Sequence, residues 1–212
     1  MKNILLTITG PSLTGKTELA KLLKPHGFEE LVSTTTRPRR EGETAGVNYN
    51  YVSFEEFDEM TRKNLMIQKN PVGNNMYGLS KTAFDKVISN GNSGIVVVAP
   101  EGAKQIADYC NKNNIIHHQI FINNDLETLI SRFLNRYKND KLADDKTYTI
   151  RLKDMMTVEQ EIWVKQAYNG TDYYDQIFEN FGPETENNII ERIKISVDAK
   201  VNKSSVKKLK NR

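Results

Sequence analysis

Apolar residues along this chain of 212 residues gather in two kinds of segment that alternate. Short continuous runs, Ile4-Leu5-Leu6-Thr7-Ile8 and Gly94–Ala99, have the length of strands buried on both faces of a sheet. Between such runs, apolar positions three and four apart predict helices. Thr17–Lys24 carries Leu19, Leu22 and Leu23, and Pro25 and Gly27 stop it. Asp125–Tyr137 places Leu126, Leu129, Ile130 and Phe133 on one face. Glu101–Asn113, Tyr148–Ala167 and Glu184–Ala199 are further helices, and His117–Ile122 and Gln176–Glu179 further strands. Leu31–Thr36 is β-rich, Val47–Val52 alternates with aromatics, and Met66–Lys69 and Asn75–Leu79 flank a Gly-Asn-Asn turn. Ser53-Phe54-Glu55-Glu56 is a capping box that opens a helix to about Asn64. Ser80 caps another through Ser89, ended by Asn90-Gly91.

Strands in alternation with helices predict an α/β fold with a mainly parallel core sheet flanked by helices. The rhythm breaks between about Arg37 and Asn90, which predicts a small lobe inserted into a core of residues 1–36 and 91–197. Lys138–Asp145 is highly charged and has no apolar anchor, so a mobile lid is expected over about residues 137–148.

Charge changes little until it is located. The net +3 of the chain is more than supplied by residues 198–212, where six Lys or Arg and one Asp give +5. The remaining 197 residues are at −2, so no basic face for nucleic acid is expected, and the end reads as a flexible basic tail. No apolar run reaches the ~18 residues of a membrane span, and the start lacks the pattern of a signal peptide. A single cysteine, Cys110, excludes an intrachain disulfide and fits a reducing, cytoplasmic setting. Three histidines and that cysteine show no metal-ligand spacing.

The chemistry is concentrated in Gly10-Pro11-Ser12-Leu13-Thr14-Gly15-Lys16-Thr17, which satisfies G-x-x-x-x-G-K-[ST] after a strand and before a helix. Glycines let backbone amides curl around an anion, and the helix N-terminus adds partial positive charge. Lys16 can reach the β- and γ-phosphates, and the Thr17 hydroxyl can ligate Mg²⁺. This motif alone does not separate a kinase from a GTPase or a motor ATPase.

A second constellation narrows the choice. Ser33-Thr34-Thr35-Thr36-Arg37-Pro38-Arg39-Arg40-Glu41-Gly42-Glu43 precedes Gly46-Val47-Asn48-Tyr49-Asn50-Tyr51-Val52-Ser53. Here the sequence resembles guanylate kinase, whose signature reads S-x-T-T-R-x-x-R-x-G-E, then G-x-x-Y, then F-V-S. Tyr77-Gly78-Leu79-Ser80, Glu101-Gly102, the spacing of Arg132, Arg136 and Arg151, and Tyr174–Asn180 extend the likeness over about Ile4 to Asn180. The resemblance implies a P-loop kinase fold whose inserted lobe binds the acceptor, with Mg²⁺ and ATP on Gly10–Thr17 and adenine near Asn180. It implies that Ser33, Arg37, Arg40, Tyr49 and Tyr77 hold the acceptor phosphate and that Gln68 and Ser80 line the base pocket. Lys16, Arg132, Arg136 and Arg151 would then stabilise the transferring phosphoryl group. Monomer and homodimer both remain open. A pair of arginines three apart suits bidentate phosphate capture, although Arg37 and Arg40 could instead pair with Glu41 and Glu43 on the surface.

The sequence departs from the family where the base is read. Family members usually meet the guanine donors with a Glu, a Ser/Thr and an Asp; these positions fall on Gln68, Leu79 and Ala99. A further family carboxylate, which organises Mg²⁺ through water, falls on Val97. A Gln presents one acceptor and one donor, which matches the edge of uracil, thymine or adenine. Three readings follow: a GMP/dGMP kinase, a kinase for another nucleoside monophosphate (dTMP- or dUMP-like, or dAMP), and a non-catalytic binding module. A sugar kinase of the same fold is disfavoured by the Thr-Thr-Arg loop and Tyr49.

Overall fold

The computed structural model describes residues 4–89, 91–139, 145–169 and 173–210. At its centre is β1 (Ile4–Thr9), every residue of which is buried. Strands β2 (Phe28–Glu30), β7 (Ser93–Val97), β8 (Ile116–Asn123) and β9 (Gln176–Glu179) join it in a five-stranded sheet, in the order β2-β7-β1-β8-β9. All its pairings are parallel. The continuous apolar runs follow from this position, because both faces are covered. Ile4, Leu6 and Ile8 pack with α1 (Lys16–Leu23) and α8 (Glu186–Lys210) through Leu19, Leu23, Ile190, Ile193 and Val197. Leu5 points to the opposite face, against α3 (Lys81–Ile88) and α4 (Pro100–Lys112) through Phe84, Val87 and Ile106. This is the period of two expected of a strand.

A second, four-stranded sheet has the order β4-β3-β6-β5 and forms the inserted lobe. Its members are β3 (Thr34–Thr35), β4 (Asn50–Tyr51), β5 (Met66–Val72) and β6 (Asn75–Ser80), with the last two an antiparallel hairpin turning at Gly73. Helix α2 (Phe54–Arg62) lies against it through the buried Phe57. The Ser53–Glu56 capping box forms in both directions, at 3.1 and 2.7 Å, and Ser80 caps α3. The remaining elements are a 3-10 turn at Lys24–His26, α5 (Leu126–Asn139), α6 (Asp145–Asp154), a π-helix over Met155–Val164 and α7 (Lys165–Tyr168).

Several boundaries differ from the sequence reading. The β-rich stretch Leu31–Thr36 is not one strand: β2 ends before it in the core sheet, and β3 begins within it in the lobe, so the chain changes sheets there. Of Val47–Val52 only Asn50–Tyr51 is strand, with one isolated bridge between Ala45 and Tyr49. The predicted helix Tyr148–Ala167 is wound as a π-helix over Met155–Val164. Helix α8 continues past Ala199 to Lys210, so this part of the basic end is helical rather than the frayed tail expected. Residues 140–144, the middle of the expected lid, lie outside the described residues. Among the described residues no helix is long and apolar enough to cross a membrane.

Candidate active site

The loop between β1 and α1 is shaped by two glycines with positive φ. A Cβ on Gly10 (φ 138°) would lie 2.0 Å from the Ile122 carbonyl oxygen of β8. A Cβ on Gly15 (φ 93°) would lie 2.5 Å from the ring of Phe181. Leu13 also has positive φ, at 67°, an uncommon conformation for a non-glycine residue. Its side chain packs on the cluster of Leu129, Phe133, Tyr148 and Met155. Buried Thr14 donates to the Pro11 carbonyl at 2.9 Å and closes the turn. Lys16 donates to the carbonyls of Gly10 and Pro11 at 2.9 and 2.6 Å. Burial lowers the Lys16 ammonium to about 8, against the upward pull of the Glu159 carboxylate.

Thr17 is exposed in the first turn of α1. Val97 at the end of β7 supplies no carboxylate, and among the described residues no group of three or more His, Cys, Asp or Glu could hold a metal. These residues would fit a hard, well-hydrated cation such as Mg²⁺ that keeps most of its oxygen ligands from a bound phosphate and water, with the Thr17 hydroxyl as the protein's donor.

The three lid arginines do not act as one group. Arg136 and Arg151 line a cavity of about 280 Å³ with Ser12, Leu13 and Glu159, and Val72 of the lobe hairpin reaches the same cavity. Arg132 does not line it; its guanidinium donates to the carbonyls of Leu13 and Phe181 at 2.9 and 3.0 Å. It thereby ties the phosphate loop to the segment after β9, where Asn180 (φ 55°) has an exposed side chain and an amide held by Asn123.

On the lobe, Arg37 sits at the end of β3 with its guanidinium fixed on every side. It donates to both oxygens of Glu43 at 2.8 and 2.9 Å and to the Tyr77 hydroxyl at 3.2 Å. The rings of Tyr49 and Tyr51 lie 5.5 and 5.9 Å from its central carbon, close enough for cation–π attraction. Burial of Glu43 would raise its pKa, but hydrogen bonds from the Arg40 amide, the Tyr51 hydroxyl and Arg37 lower it to about 2. The pairing of Arg37 with Glu43, the surface alternative read from the sequence, is therefore present. It is also well sheltered, with side-chain exposures of 11% and 18%. The Arg40 side chain stays exposed beside it. Ser33 holds β4 through its carbonyl, which accepts from Asn50. Tyr51 was missed in the sequence, although its spacing of two from Tyr49 in the alternating stretch Val47–Val52 was the available signal.

The two expected base-pocket residues are separated. Gln68 is 5% exposed and lies opposite Leu79 in the β5–β6 hairpin. Its amide faces the start of α4, where a Cβ on Gly102 would come within 2.9 Å of Nε2. Among the described residues this amide has no hydrogen-bond partner. Ser80 follows Leu79 and points to the other face of the hairpin, where its hydroxyl accepts from the Ala83 amide at 3.1 Å. The structure thus does not bring Ser80 to Gln68. The hairpin is fixed on α4 by the Lys69 amide, which donates to Gln105 at 3.0 Å. Glu159, which sequence reasoning did not single out, accepts from the amide and hydroxyl of Ser12 at 2.7 and 2.8 Å. Nothing in its sequence spacing marks it.

Comparison with known proteins gives a consistent result. The family profile described as guanylate kinase matches residues 2–192. A guanylate kinase of Clostridioides difficile is 33% identical over 178 residues, covering 76% of this chain and 85% of that protein. One from Helicobacter pylori is 32% identical over 166 residues, covering 71% and 80%. The crystal structure of guanylate kinase from Anaplasma phagocytophilum superposes with a TM-score of 0.65 at 24% identity, over 93% of this chain and 86% of that one, which establishes the likeness of fold.

Proposed function

Since the chain belongs to the guanylate kinase family and is a nucleoside monophosphate kinase, we propose that it transfers the γ-phosphoryl group of ATP to GMP or dGMP. The observation that carries this reading is the presence of two anion-seeking clusters of different construction. One is the main-chain loop Gly10–Thr17; the other is the set Arg37, Arg40, Tyr49 and Tyr77 on the inserted lobe.

In this mechanism the loop amides and Lys16 hold the nucleoside triphosphate, with Asn180 beside the adenine. Arg40 and the clasped Arg37 take the dianionic phosphate of the acceptor, and Tyr49 and Tyr77 donate to it. Thr17 would hold a Mg²⁺ ion arriving with the nucleotide, and the ion would supply charge neutralisation to the phosphate tail. Lys16, Arg136 and Arg151 stabilise the charge spread over the transferring group, and Arg132 keeps the loop at its station. The acceptor oxygen is already ionised, so no general base is needed. Docking of lobe on core excludes the water that would otherwise hydrolyse ATP.

A second reading concerns the base and is favoured by the Gln68 amide, which lies opposite Leu79, faces Gly102 and has no hydrogen-bond partner among the described residues. That wall offers one acceptor and one donor where guanine presents two donors, and so suits thymine, uracil or adenine. The test is ADP release with Mg·ATP against a panel of ribo- and deoxyribonucleoside monophosphates. GMP and dGMP turning over fastest supports the first reading; dTMP, dUMP or dAMP leading supports the second. A panel without turnover removes both and leaves a binding module.

A further inference from the structure

The Glu159 carboxylate forks across the Ser12 amide and hydroxyl at 2.7 and 2.8 Å, within the loop whose amides are built to receive an anion. Both oxygens are used, one per donor, as a phosphate would use them. We infer that Glu159 is an internal anion that occupies part of the phosphate loop when no nucleotide is bound, and that a nucleotide's phosphate tail displaces it. The inference rests on the reading of Gly10–Thr17 as the donor phosphate site.

Three further observations give the contact this character. First, the segment carrying Glu159 is anchored close by: Met155, one turn earlier, is 1% exposed and buried among Leu129, Phe133 and Tyr148, the cluster on which Leu13 of the loop also packs. Second, the segment carrying Glu159 is the π-wound stretch Met155–Val164. π-Winding is rare in runs of this length and marks functional segments more often than structural ones. Rewinding it as α-helix would change the direction in which residue 159 points. Third, the neighbouring Gln160 has its Nε2 buried with no hydrogen-bond partner among the described residues. An orphaned buried donor is a local cost of this winding.

Lys16 completes the resting state. Its ammonium is turned onto the Gly10 and Pro11 carbonyls, and the Glu159 carboxylate lies near enough to favour its charged form. An incoming phosphate tail exchanges one anion for another, and the helix that carried the first is released. Nucleotide occupancy is thereby coupled to the position of the helix that also bears Arg151, which lines the same cavity.

The experiment uses pyrophosphate as the probe, since it carries the anion without base or sugar. Its affinity is measured calorimetrically for the full chain, Glu159→Gln and Glu159→Ala, with thermal melting to establish that the variants fold. Trp163, the single tryptophan of the chain and four residues beyond Glu159, reports the helix by its emission. Removing an occupant that fills the site most of the time raises apparent affinity by about tenfold. The expected result is pyrophosphate binding about tenfold tighter in Glu159→Ala, with Glu159→Gln between. Wild-type emission should shift on saturation, and unliganded Glu159→Ala should already emit at the shifted position. Equal or weaker binding by both variants overturns the inference while leaving the donor-site reading intact. Failure of wild type and variants alike to bind pyrophosphate and ATP removes that reading and the inference with it.

Discussion

The two anion clusters solve the same electrostatic problem with different materials. The phosphate loop is one run of eight residues whose donors are mostly main-chain amides, and whose shape is imposed by close neighbours of two glycines. The lobe cluster is assembled from side chains up to 40 residues apart, Arg37 with Tyr77, and is organised by a carboxylate, Glu43. A cradle of amides tolerates changes in side chain and fails when a Cβ is added at Gly10. A clasp of side chains can change its preference through one substitution. The lobe is therefore where this chain can differ from its relatives in what it accepts while keeping the same transfer chemistry.

The largest expected effect tests the loop. Lys16→Ala should lower kcat by about 10³-fold or more for every acceptor, the scale seen when a preorganised charge at a reacting centre is removed. Thermal stability at neutral pH should not fall, because the ammonium bonds only to carbonyls of its own loop and its burial opposes the charged form. Turnover close to wild type would show that the donor phosphates lie elsewhere.

The lobe should respond selectively. Arg40→Ala removes an exposed cation without disturbing the clasp, since the Arg40 backbone, not its side chain, contacts Glu43. The acceptor KM should rise by about 10- to 100-fold, the worth of one charge-assisted hydrogen bond, while the ATP KM stays constant. Equal changes in both would remove the division of labour between the two clusters. Arg37→Ala is the poorer test, because it strands the sheltered Glu43 carboxylate and mixes stability with binding.

The contrast also explains what could be read from the chain. The loop was legible because its needs are local: glycines at fixed offsets, a lysine, a hydroxyl, a buried strand before and a helix after. The Ser53 capping box, the Ser80 cap and the core strands β1, β7, β8 and β9 were legible for the same reason, each being fixed by near neighbours or by burial, whereas β2 was not read. The division of Leu31–Thr36 between two sheets was not, because one β-rich stretch gives no sign of where the chain leaves one partner for another. The capture of Arg37 by Glu43 was visible as a possible surface pair, but its burial depends on Tyr49, Tyr51 and Tyr77 arriving from β4 and β6. The different fate of Arg132 was hidden in the same way. Helical spacing puts Arg132 and Arg136 on one face, yet only the folded chain brings the Leu13 and Phe181 carbonyls to the first of them. Gln68 and Ser80 were expected in one pocket, and the alternation of a strand sends them to opposite faces.

A finer test falls on that hairpin. Gln68→Glu replaces a donor with a second acceptor at the same volume, so the ratio of kcat/KM for dGMP over dAMP or dTMP should rise by about tenfold or more. Thermal melting is needed alongside, since the buried carboxylate gains its partner only from the base. An unchanged ranking would place Gln68 outside the base contact and leave its burial against Gly102 as a packing feature.

The smallest effect separates binding from stability at a single group. Burial holds Lys16 at about 8, well below the 10.5 of a free side chain, with Glu159 opposing the shift. The ammonium is the form that binds phosphate, and kcat/KM for ATP reports the unliganded enzyme. It should therefore fall above about pH 8, approaching tenfold per unit, while kcat holds to higher pH because bound phosphates favour the ammonium. Stability should move the other way. Between about pH 8 and 10.5 the unfolded chain retains a proton at this position that the folded chain has lost, so the Lys16 contribution to stability rises with pH across that window. The melting temperature of wild type minus that of Lys16→Met, followed from pH 7 to 10.5, isolates the contribution. A difference that is flat across the window would mean that the lysine keeps its proton in the folded chain, and that the fall in kcat/KM belongs to another group. Removing the Glu159 charge sharpens the same measurement, since Glu159→Gln should carry the break in kcat/KM to lower pH.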